Sequence, residues 1–320
     1  MEDGIVHKHI QANGIKIHIA EKGQGQAILF LHGFPELWYS WRHQIHAFAS
    51  SGYRAITPDL RGYGDTEAPN QIGAYSCFHL VGDIVALLDF LGEEKVYVVA
   101  HDMGAMVGWY LCLFRPDRVK AFVSLSVPFR PRNPKMKPVP TLRAFFGEDY
   151  YMCRFQEPGK MEAEIAKYDT KYVLKKILTE RSPSPPMIPK ENPFGSPLDA
   201  SITLPAWFTQ EDLDYYAKKY EETGFTGALN NYRTLDLNWE LLAPWTRAQV
   251  NVPVKYIVGD MDMVYNMPGV KDYVHGSKGG FKKDVPMLEE VVVLEGVAHF
   301  INQEKPDVVN KHILDFISKF

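Results

Sequence analysis

The chain has 320 residues, of which 46% are hydrophobic and 23% are charged, a composition ordinary for a soluble globular protein with one large domain, with or without an insertion. Its 35 Lys and Arg side chains stand against 39 Asp and Glu, which gives a net charge of −4. Without a surplus of positive charge, neither nucleic acid nor an anionic membrane is expected as a partner.

The first part of the chain alternates predicted strands with predicted helices. Residues 5–21 alternate apolar and polar side chains around Asn13-Gly14, which predicts an opening hairpin. Short apolar runs predict further strands at 26–31, 54–57, 95–99 and 119–126, and helical patterns lie at 41–50, 78–91 and 103–114. Strands that alternate with helices in this way predict a doubly wound, mostly parallel sheet in the α/β class.

The pattern changes after Val127. Residues 128–134 contain three prolines, which predicts irregular chain because proline lacks a donor and fixes φ. From there the pattern is helical, with a proline-rich loop at 182–197. We therefore predict a helical cap domain at 132–243, inserted into a core domain of residues 1–131 and 244–320. The remaining core elements are predicted strands at 252–259 and 291–294 and a closing helix at 307–320.

A sharp turn from strand to helix is predicted at Asp102. Ala100 and Gly104 flank this residue at the spacing of the nucleophile elbow of α/β-hydrolases, whose usual form is Gly-x-Ser-x-Gly. Aspartate in place of serine predicts attack on an sp³ carbon and an alkyl-enzyme ester. The helix that begins just beyond the elbow favours the ionised carboxylate through its free N–H groups and its dipole.

Two further residues follow predicted strands in the chain order nucleophile, acid, histidine of this fold. Asp262 lies beyond the strand at 254–258, and His299 lies beyond the strand at 291–294. We predict that His299 is the base and that Asp262 orients it, with Asp260 as the alternative acid. The oxyanion hole is expected from the backbone N–H groups of Phe34 and Met103.

Taken together, the motifs of this chain resemble those of soluble epoxide hydrolases, most of all the plant branch. The motifs that carry the resemblance lie at 32–36, 59–64, 101–104, 259–262 and 298–300, with longer matches at 35–41, 238–245 and 281–295. The resemblance covers essentially the whole chain. It implies the α/β-hydrolase fold with a helical cap and the conversion of fatty-acid, aryl and alkyl epoxides to vicinal diols without a metal or organic cofactor.

The resemblance also implies roles for individual residues. Tyr151 and Tyr232 of the cap would donate hydrogen bonds to the epoxide oxygen, with Tyr150 as the alternative to Tyr151, because a buried phenol can stabilise and protonate the alkoxide. Glu36 and His101 would position the hydrolytic water. The expected substrate contacts are Phe34, Trp38, Met103, Tyr151, Tyr232, Met263 and Phe300. Met103 departs from the family, in which Trp commonly follows the nucleophile.

Two other functions stay open at the level of sequence. A haloalkane dehalogenase uses the same Asp-His-acid chemistry, but it stabilises the leaving halide, usually with Trp or Asn, and Phe34 and Met103 stand at those places. A non-catalytic ligand receptor on the same scaffold is the second alternative, since a fold does not determine a function. A serine-type esterase is disfavoured because the elbow carries Asp102.

The expected partners are a small-molecule epoxide and water, with no nucleic acid and no membrane, and the expected assembly is a monomer or homodimer. Cys77, Cys112 and Cys153 have spacings that fit neither a disulfide framework nor a zinc site. The chain shows no signal segment and no apolar run near the ~20 residues of a membrane span. The expected location is the cytoplasm. The ending Ser318-Lys319-Phe320 resembles the peroxisomal Ser-Lys-Leu address but gives it only weak support.

Overall fold

The structure is a computed structural model that describes residues 4–195, 203–276 and 280–320. Its described strands form one eight-stranded sheet in the spatial order β1-β2-β4-β3-β5-β6-β7-β8. The strands are β1 (Val6–Ala12), β2 (Ile15–Lys22), β3 (Gln26–Leu31), β4 (Tyr53–Pro58), β5 (Val96–His101), β6 (Val119–Leu125), β7 (Val254–Gly259) and β8 (Leu288–Leu294). The pairs β1·β2 and β2·β4 are antiparallel and the other pairs are parallel, so the predicted fold class is confirmed.

The position of each strand in the sheet follows from its side chains. Every residue of β5 and β7 is buried, as expected for central parallel strands that carry helices on both faces. The edge strand β1 includes four exposed residues, and its antiparallel pairing with β2 confirms the predicted hairpin at Asn13-Gly14. The carboxyl ends of β3, β5, β6 and β7 therefore meet at one edge of the sheet, where parallel sheets place their active sites.

Helices cover the sheet and fill the chain between β6 and β7. They are α1 (Arg42–Ser50), α2 (Cys77–Leu91), α3 (Asp102–Phe114), α4 (Pro138–Phe146), α5 (Tyr151–Arg154), α6 (Lys160–Ile165), α7 (Thr170–Leu178), α8 (Gln210–Thr223), α9 (Thr226–Arg233), α10 (Leu235–Leu241), α11 (Val270–His275), α12 (Gly280–Asp284), α13 (Ile301–Glu304) and α14 (Pro306–Ile317). The closing helix was predicted to reach Phe320, but it ends at Ile317. Four-residue α13 and the five- and six-residue α12 and α11 escaped prediction because they are too short to show a helical period.

The segment 132–243, called the insertion below, contains α4 to α10. Its described residues hold no strand of the sheet, only an isolated bridge between Tyr150 and Met187. The predicted proline-rich loop at 182–197 is not helical where it is described, and its last two residues lie outside the described residues. The division of the chain into a core and a cap domain stays a prediction.

Polar contacts join the insertion to the rest of the chain. The Asp212 carboxylate, from α8, pairs at 3.1 Å with the buried Arg42 guanidinium in α1. The Lys219 ammonium donates to the Asp65 carboxylate at 2.8 Å. The first residue of α2, Cys77, donates its backbone N–H to the side-chain oxygen of Asn238 at 2.8 Å. These bonds fix α8 and α10 over the edge of the sheet at which the parallel strands end.

Gly104, in the first turn of α3, gives the fold a test. A Cβ added at Gly104 would overlap the carbonyl oxygens of Leu31 and His32, because α3 passes directly over the end of β3. We expect Gly104→Ala to destabilise the protein by about 1–3 kcal/mol, since backbone atoms cannot give way as a flexible side chain can. Thermal unfolding measures the loss. The control is Gly73→Ala, at an exposed glycine with no atom within 4 Å of an added Cβ. Equal melting temperatures for the two variants would contradict this packing.

Candidate active site

The site is built around the turn between β5 and α3. His101 is the last extended residue, and Asp102 follows with a φ of 49°, in the left-handed region that side chains other than glycine rarely adopt. On the facing loop, a Cβ at Gly33 would overlap the side chain of Asp102, so a glycine is required there. The turn thus presents the Asp102 carboxylate at the edge of the sheet, as the elbow pattern predicts.

The two oxygens of the Asp102 carboxylate have different partners. Oδ1 accepts the backbone N–H of Phe34 at 2.8 Å, in the loop whose Phe34–Pro35 peptide bond is cis. Oδ2 lies 3.5 Å from Nε2 of His299. Met103 comes next in the first turn of α3, where backbone N–H groups lack an intrahelical acceptor. The two predicted oxyanion donors therefore flank one carboxylate oxygen and the start of the helix.

The imidazole of His299 is held by a buried carboxylate. Its Nδ1 lies 3.1 Å from Oδ2 of Asp262, a residue with no exposed surface, and Oδ1 of Asp262 accepts the backbone N–H of Val264 at 2.6 Å. In the described part of the chain, no hydrogen bond or ion pair joins His299 to the alternative acid, Asp260. The geometry favours Asp262 as the acid.

Electrostatics at this centre couples three titrating groups. Burial opposes a charged imidazole, but the nearby carboxylates of Asp262 and Asp102 outweigh it and raise the pKa of His299 to about 10. The reverse effect holds the pKa of each carboxyl below its ordinary value, because the imidazolium and neighbouring donors overcome the cost of burial. Nε2 of His299 has no hydrogen-bond partner in the described residues. The resting site is thus an imidazolium between two carboxylates, with one N–H directed at the Asp102 side.

Ser126 is a residue of this site that sequence reasoning missed. Its Oγ lies 3.1 Å from Nδ1 of His299, beside the Asp262 carboxylate, and its φ of 72° is in the left-handed region. Its backbone carbonyl accepts the hydroxyl of Tyr256 at 2.6 Å. Ser126 directly follows β6, so the rule that located Asp262 and His299 at strand ends could have located it too.

Two phenols of the insertion face the Asp102 carboxylate. Tyr151 begins α5 and Tyr232 lies in α9; both are buried, and their ring centres are 5.9 Å apart. Burial raises the pKa of each phenol well above its ordinary value, with smaller contributions from other groups, among them the negative charge of Asp102. Both phenols therefore keep their protons at neutral pH and can donate hydrogen bonds. The alternative, Tyr150, stacks on Phe146 at 4.6 Å and lines neither cavity described next.

Two cavities meet at these groups. Cavity A has a volume of about 270 Å³ and is lined by Phe34, Met263, His299 and Phe300, among others. Cavity B has a volume of about 370 Å³ and is lined by Met103 and other apolar side chains. Exactly the trio Asp102, Tyr151 and Tyr232 lines both. A reacting centre shared by two cavities can bind a substrate with groups on either side.

The expected substrate contact of Trp38 is wrong for these cavities, since Trp38 lines neither of them. Its indole N–H donates to the Tyr215 hydroxyl at 2.7 Å, and its ring packs against Tyr39 and His7. Only 1% of the residue is exposed. Trp38 follows the Phe34 loop closely in sequence, but the short 3-10 helix at Trp38–Trp41 turns the ring into the interface with α8.

Glu36 and His101 form a fully buried pair. Oε2 of Glu36 lies 2.7 Å from Nδ1 of His101 and accepts the backbone N–H of Gly33 at 2.8 Å, while Oε1 accepts the side-chain amide of Gln303 at 3.1 Å. Nε2 of His101 donates to the backbone carbonyl of His299 at 2.8 Å. Neither residue lines cavity A or B. The pair fixes the backbone of the Gly33 loop and of His299, and its role in placing water stays a prediction.

In the described residues, His18, Asp59 and Asp65 form a group with metal-ligand atoms close together, and none of the three lines cavity A or B. His18 already pairs with Asp59, whose Oδ2 lies 2.8 Å from its Nδ1. No helix among the described residues is long and apolar enough to cross a membrane. The reacting groups around Asp102 are thus side chains and backbone N–H groups of the chain itself.

Comparison with known proteins gives concordant results. A family model described as the alpha/beta hydrolase fold matches residues 26–306. The chain is 58% identical over 318 residues to epoxide hydrolase 3 of Siraitia grosvenorii, a match that covers 99% of this chain and 100% of the relative. A crystal structure of an epoxide hydrolase from Vigna radiata matches with a TM-score of 0.94 and 59% identity, over 100% of both chains. The structure of epoxide hydrolase I from potato (Solanum tuberosum) matches with a TM-score of 0.93 and 59% identity, over 99% of this chain and 100% of that one.

The raised pKa of His299 predicts a pH dependence of stability. Its contribution is complete below the ordinary value of 6.5 and is lost as the pH rises through about 10, because the folded state then gives up the proton it had bound more tightly. We expect the melting temperature of the wild type to exceed that of His299→Gln by most near neutral pH, and the gap to narrow towards about pH 10. Thermal unfolding of both proteins across this range measures it. A gap that stays constant or widens would contradict the buried imidazolium.

Proposed function

Since the chain belongs to the epoxide hydrolases of the α/β-hydrolase fold, we propose that it converts fatty-acid, aryl and alkyl epoxides to vicinal diols through an ester on Asp102. One observation carries the assignment of residues: the trio shared by the two cavities consists of a carboxylate and two phenols. A carboxylate attacks a carbon of the oxirane, and a phenol protonates its oxygen. The similarity to epoxide hydrolases over the whole chain favours this function over a haloalkane dehalogenase or a non-catalytic receptor.

The first step forms the ester. Oδ1 of Asp102 accepts the Phe34 N–H, so we assign it to become the ester carbonyl oxygen, and Oδ2 is the atom that attacks the oxirane carbon. The carbon–oxygen bond of the ring breaks as the new bond forms. The released alkoxide takes a proton from Tyr151 or Tyr232, whose raised pKa values keep the phenols protonated until negative charge develops on the substrate.

The second step hydrolyses the ester with His299 as the base. Esterification removes the charge of Asp102, one of the two carboxylates that raise the pKa of His299, so a neutral imidazole becomes favoured as the ester forms. Nε2 then takes a proton from water, and the hydroxide attacks the ester carbonyl. Asp262 stabilises the resulting imidazolium, and the N–H groups of Phe34 and Met103 hold the oxyanion until the diol leaves. The proton on His299 restores the phenol that was used in the first step.

The Glu36–His101 pair has a supporting role in this scheme. It holds the Gly33 loop, next to the oxyanion donor Phe34, and the backbone carbonyl of His299, next to the base. We assign the placement of the hydrolytic water to the pair through the backbone that it fixes. Because both side chains have no exposed surface, this effect does not depend on direct contact with bulk solvent.

We assign residues 132–243 as a cap over a core of 1–131 and 244–320, because the insertion supplies the two phenols and the core supplies Asp102, Asp262 and His299. We also assign the protein to the cytoplasm, as a monomer or homodimer. Its three cysteines are buried and free, which fits a compartment that keeps thiols reduced.

Tyrosine variants test the reaction directly. We expect Tyr151→Phe and Tyr232→Phe each to slow diol formation from styrene oxide, and the double variant to lower kcat by about 10²-fold or more, since both proton donors are then absent. The comparison is Tyr150→Phe, which removes the neighbouring hydroxyl outside both cavities and should have a much smaller effect. Chromatography of the diol measures each rate. A fully active double variant, or a loss confined to Tyr150→Phe, would contradict these roles.

A further inference from the structure

The shape of the two cavities bears on where the epoxide lies within the substrate. Asp102, Tyr151 and Tyr232 are the residues common to cavities A and B, so a carbon held between them has open space on both sides. Cavity B is bounded by side chains that suit an alkyl chain, among them Met103, Met106, Val107, Leu142, Leu235 and Leu242. This arrangement, which rests on the function proposed above, fits an epoxide in the middle of a chain rather than at its end.

The charges that line the cavities are not alike. Cavity A contains Lys176 and Glu180, whose charges are opposite. Cavity B contains Arg130 and Arg132 and, apart from Asp102 at the junction, no carboxylate. Cavity B therefore has a local excess of positive charge on a protein whose net charge is −4. Such an excess beside an apolar cavity favours a ligand with an anionic end.

The two arginines of cavity B differ in what they already bind. Arg132 donates to the backbone carbonyl of Trp239 and to the hydroxyl of Thr246, and its guanidinium lies 4.3 Å from the centre of the Trp239 ring. Arg130 is exposed and, within the described residues, makes no ion pair; its one hydrogen bond goes to the sulfur of Met267 at 3.5 Å. Arg130 thus keeps donors for a ligand, whereas those of Arg132 are engaged.

Arg130 also lies near the reacting centre. Burial, the neighbouring Tyr150 and the charge of Asp102 raise the pKa of the Tyr151 phenol, and the positive charge of Arg130 acts in the opposite direction. The guanidinium therefore stands close enough to the junction for its field to reach Tyr151. Its exposure places it where cavity B opens to solvent, so an anionic group there keeps part of its hydration.

We propose that cavity B receives the carboxylate half of a mid-chain epoxy fatty acid, with Arg130 pairing with the carboxylate at the opening and the methyl end lying in cavity A. Arg130 is then a residue that determines specificity and takes no part in bond making. The guanidinium binds a carboxylate through two parallel N–H donors, which a neutral ester group at the same place cannot match.

A pair of substrates that differ only in charge tests this proposal: cis-9,10-epoxystearic acid and its methyl ester. The measured quantity is the ratio of kcat/KM for the acid to that for the ester, in wild type, Arg130→Gln and Lys176→Gln. This ratio is insensitive to the folded fraction of a variant, because both substrates see the same preparation. Lys176→Gln is the matched control, since it removes a positive charge from cavity A.

We expect the wild-type ratio to favour the acid by about 10-fold, as a partly solvated charge-assisted contact would, and to fall with added salt. Arg130→Gln should bring the ratio to about 1, and Lys176→Gln should keep the wild-type ratio. An unchanged ratio in Arg130→Gln, or a ratio lost in Lys176→Gln, would overturn the assignment of the carboxylate to cavity B. Wild-type turnover of styrene oxide and of both lipids at a ratio of 1 overturns this proposal alone, whereas no turnover of any of the three overturns the proposed function with it.

Discussion

Asp102 has a φ of 49°, and the neighbouring chain is arranged so that this unfavourable turn fits. Gly33 leaves room for its side chain, and Gly104 lets α3 approach the end of β3. The turn brings the carboxylate to the Phe34 N–H on one side and to His299 on the other. Without this conformation the carboxylate would not meet either partner, nor the two phenols that the insertion places above it.

Charge links the two halves of the site. One imidazole lies between two buried carboxylates, which raise its pKa to about 10 while Asp102 is ionised. In the proposed reaction Asp102 loses its charge when it becomes an ester, so the change that completes the first step also favours the base needed for the second. Asp262 keeps its charge throughout, because it is fully buried and is held by His299 and the Val264 N–H.

The chemistry-bearing residues of the core could be predicted because strand ends are visible in the sequence. The apolar runs before Asp102, Asp262 and His299 place all three at one edge of a parallel sheet. Contacts made by side chains of distant segments could not be predicted in this way. Trp38 turns towards α8 and Ser126 joins His299, and both depend on packing between elements far apart in the chain. The two cavities likewise result from how the insertion sits on the core. The choice of Tyr151 and Tyr232 came from family resemblance, since many tyrosines share their local pattern.

The covalent ester is the central claim, and the intact mass of His299→Ala measures it most directly. The variant is mixed with an aryl epoxide or, separately, with a chloroalkane, and the reaction is quenched in acid. We expect a mass gain equal to the whole epoxide, located on Asp102 by peptide mapping and absent when Asp102→Asn is added. A gain from the chloroalkane alone, equal to its alkyl group, would contradict epoxide opening. The absence of any gain, in a variant whose wild-type parent forms diol, would contradict the ester.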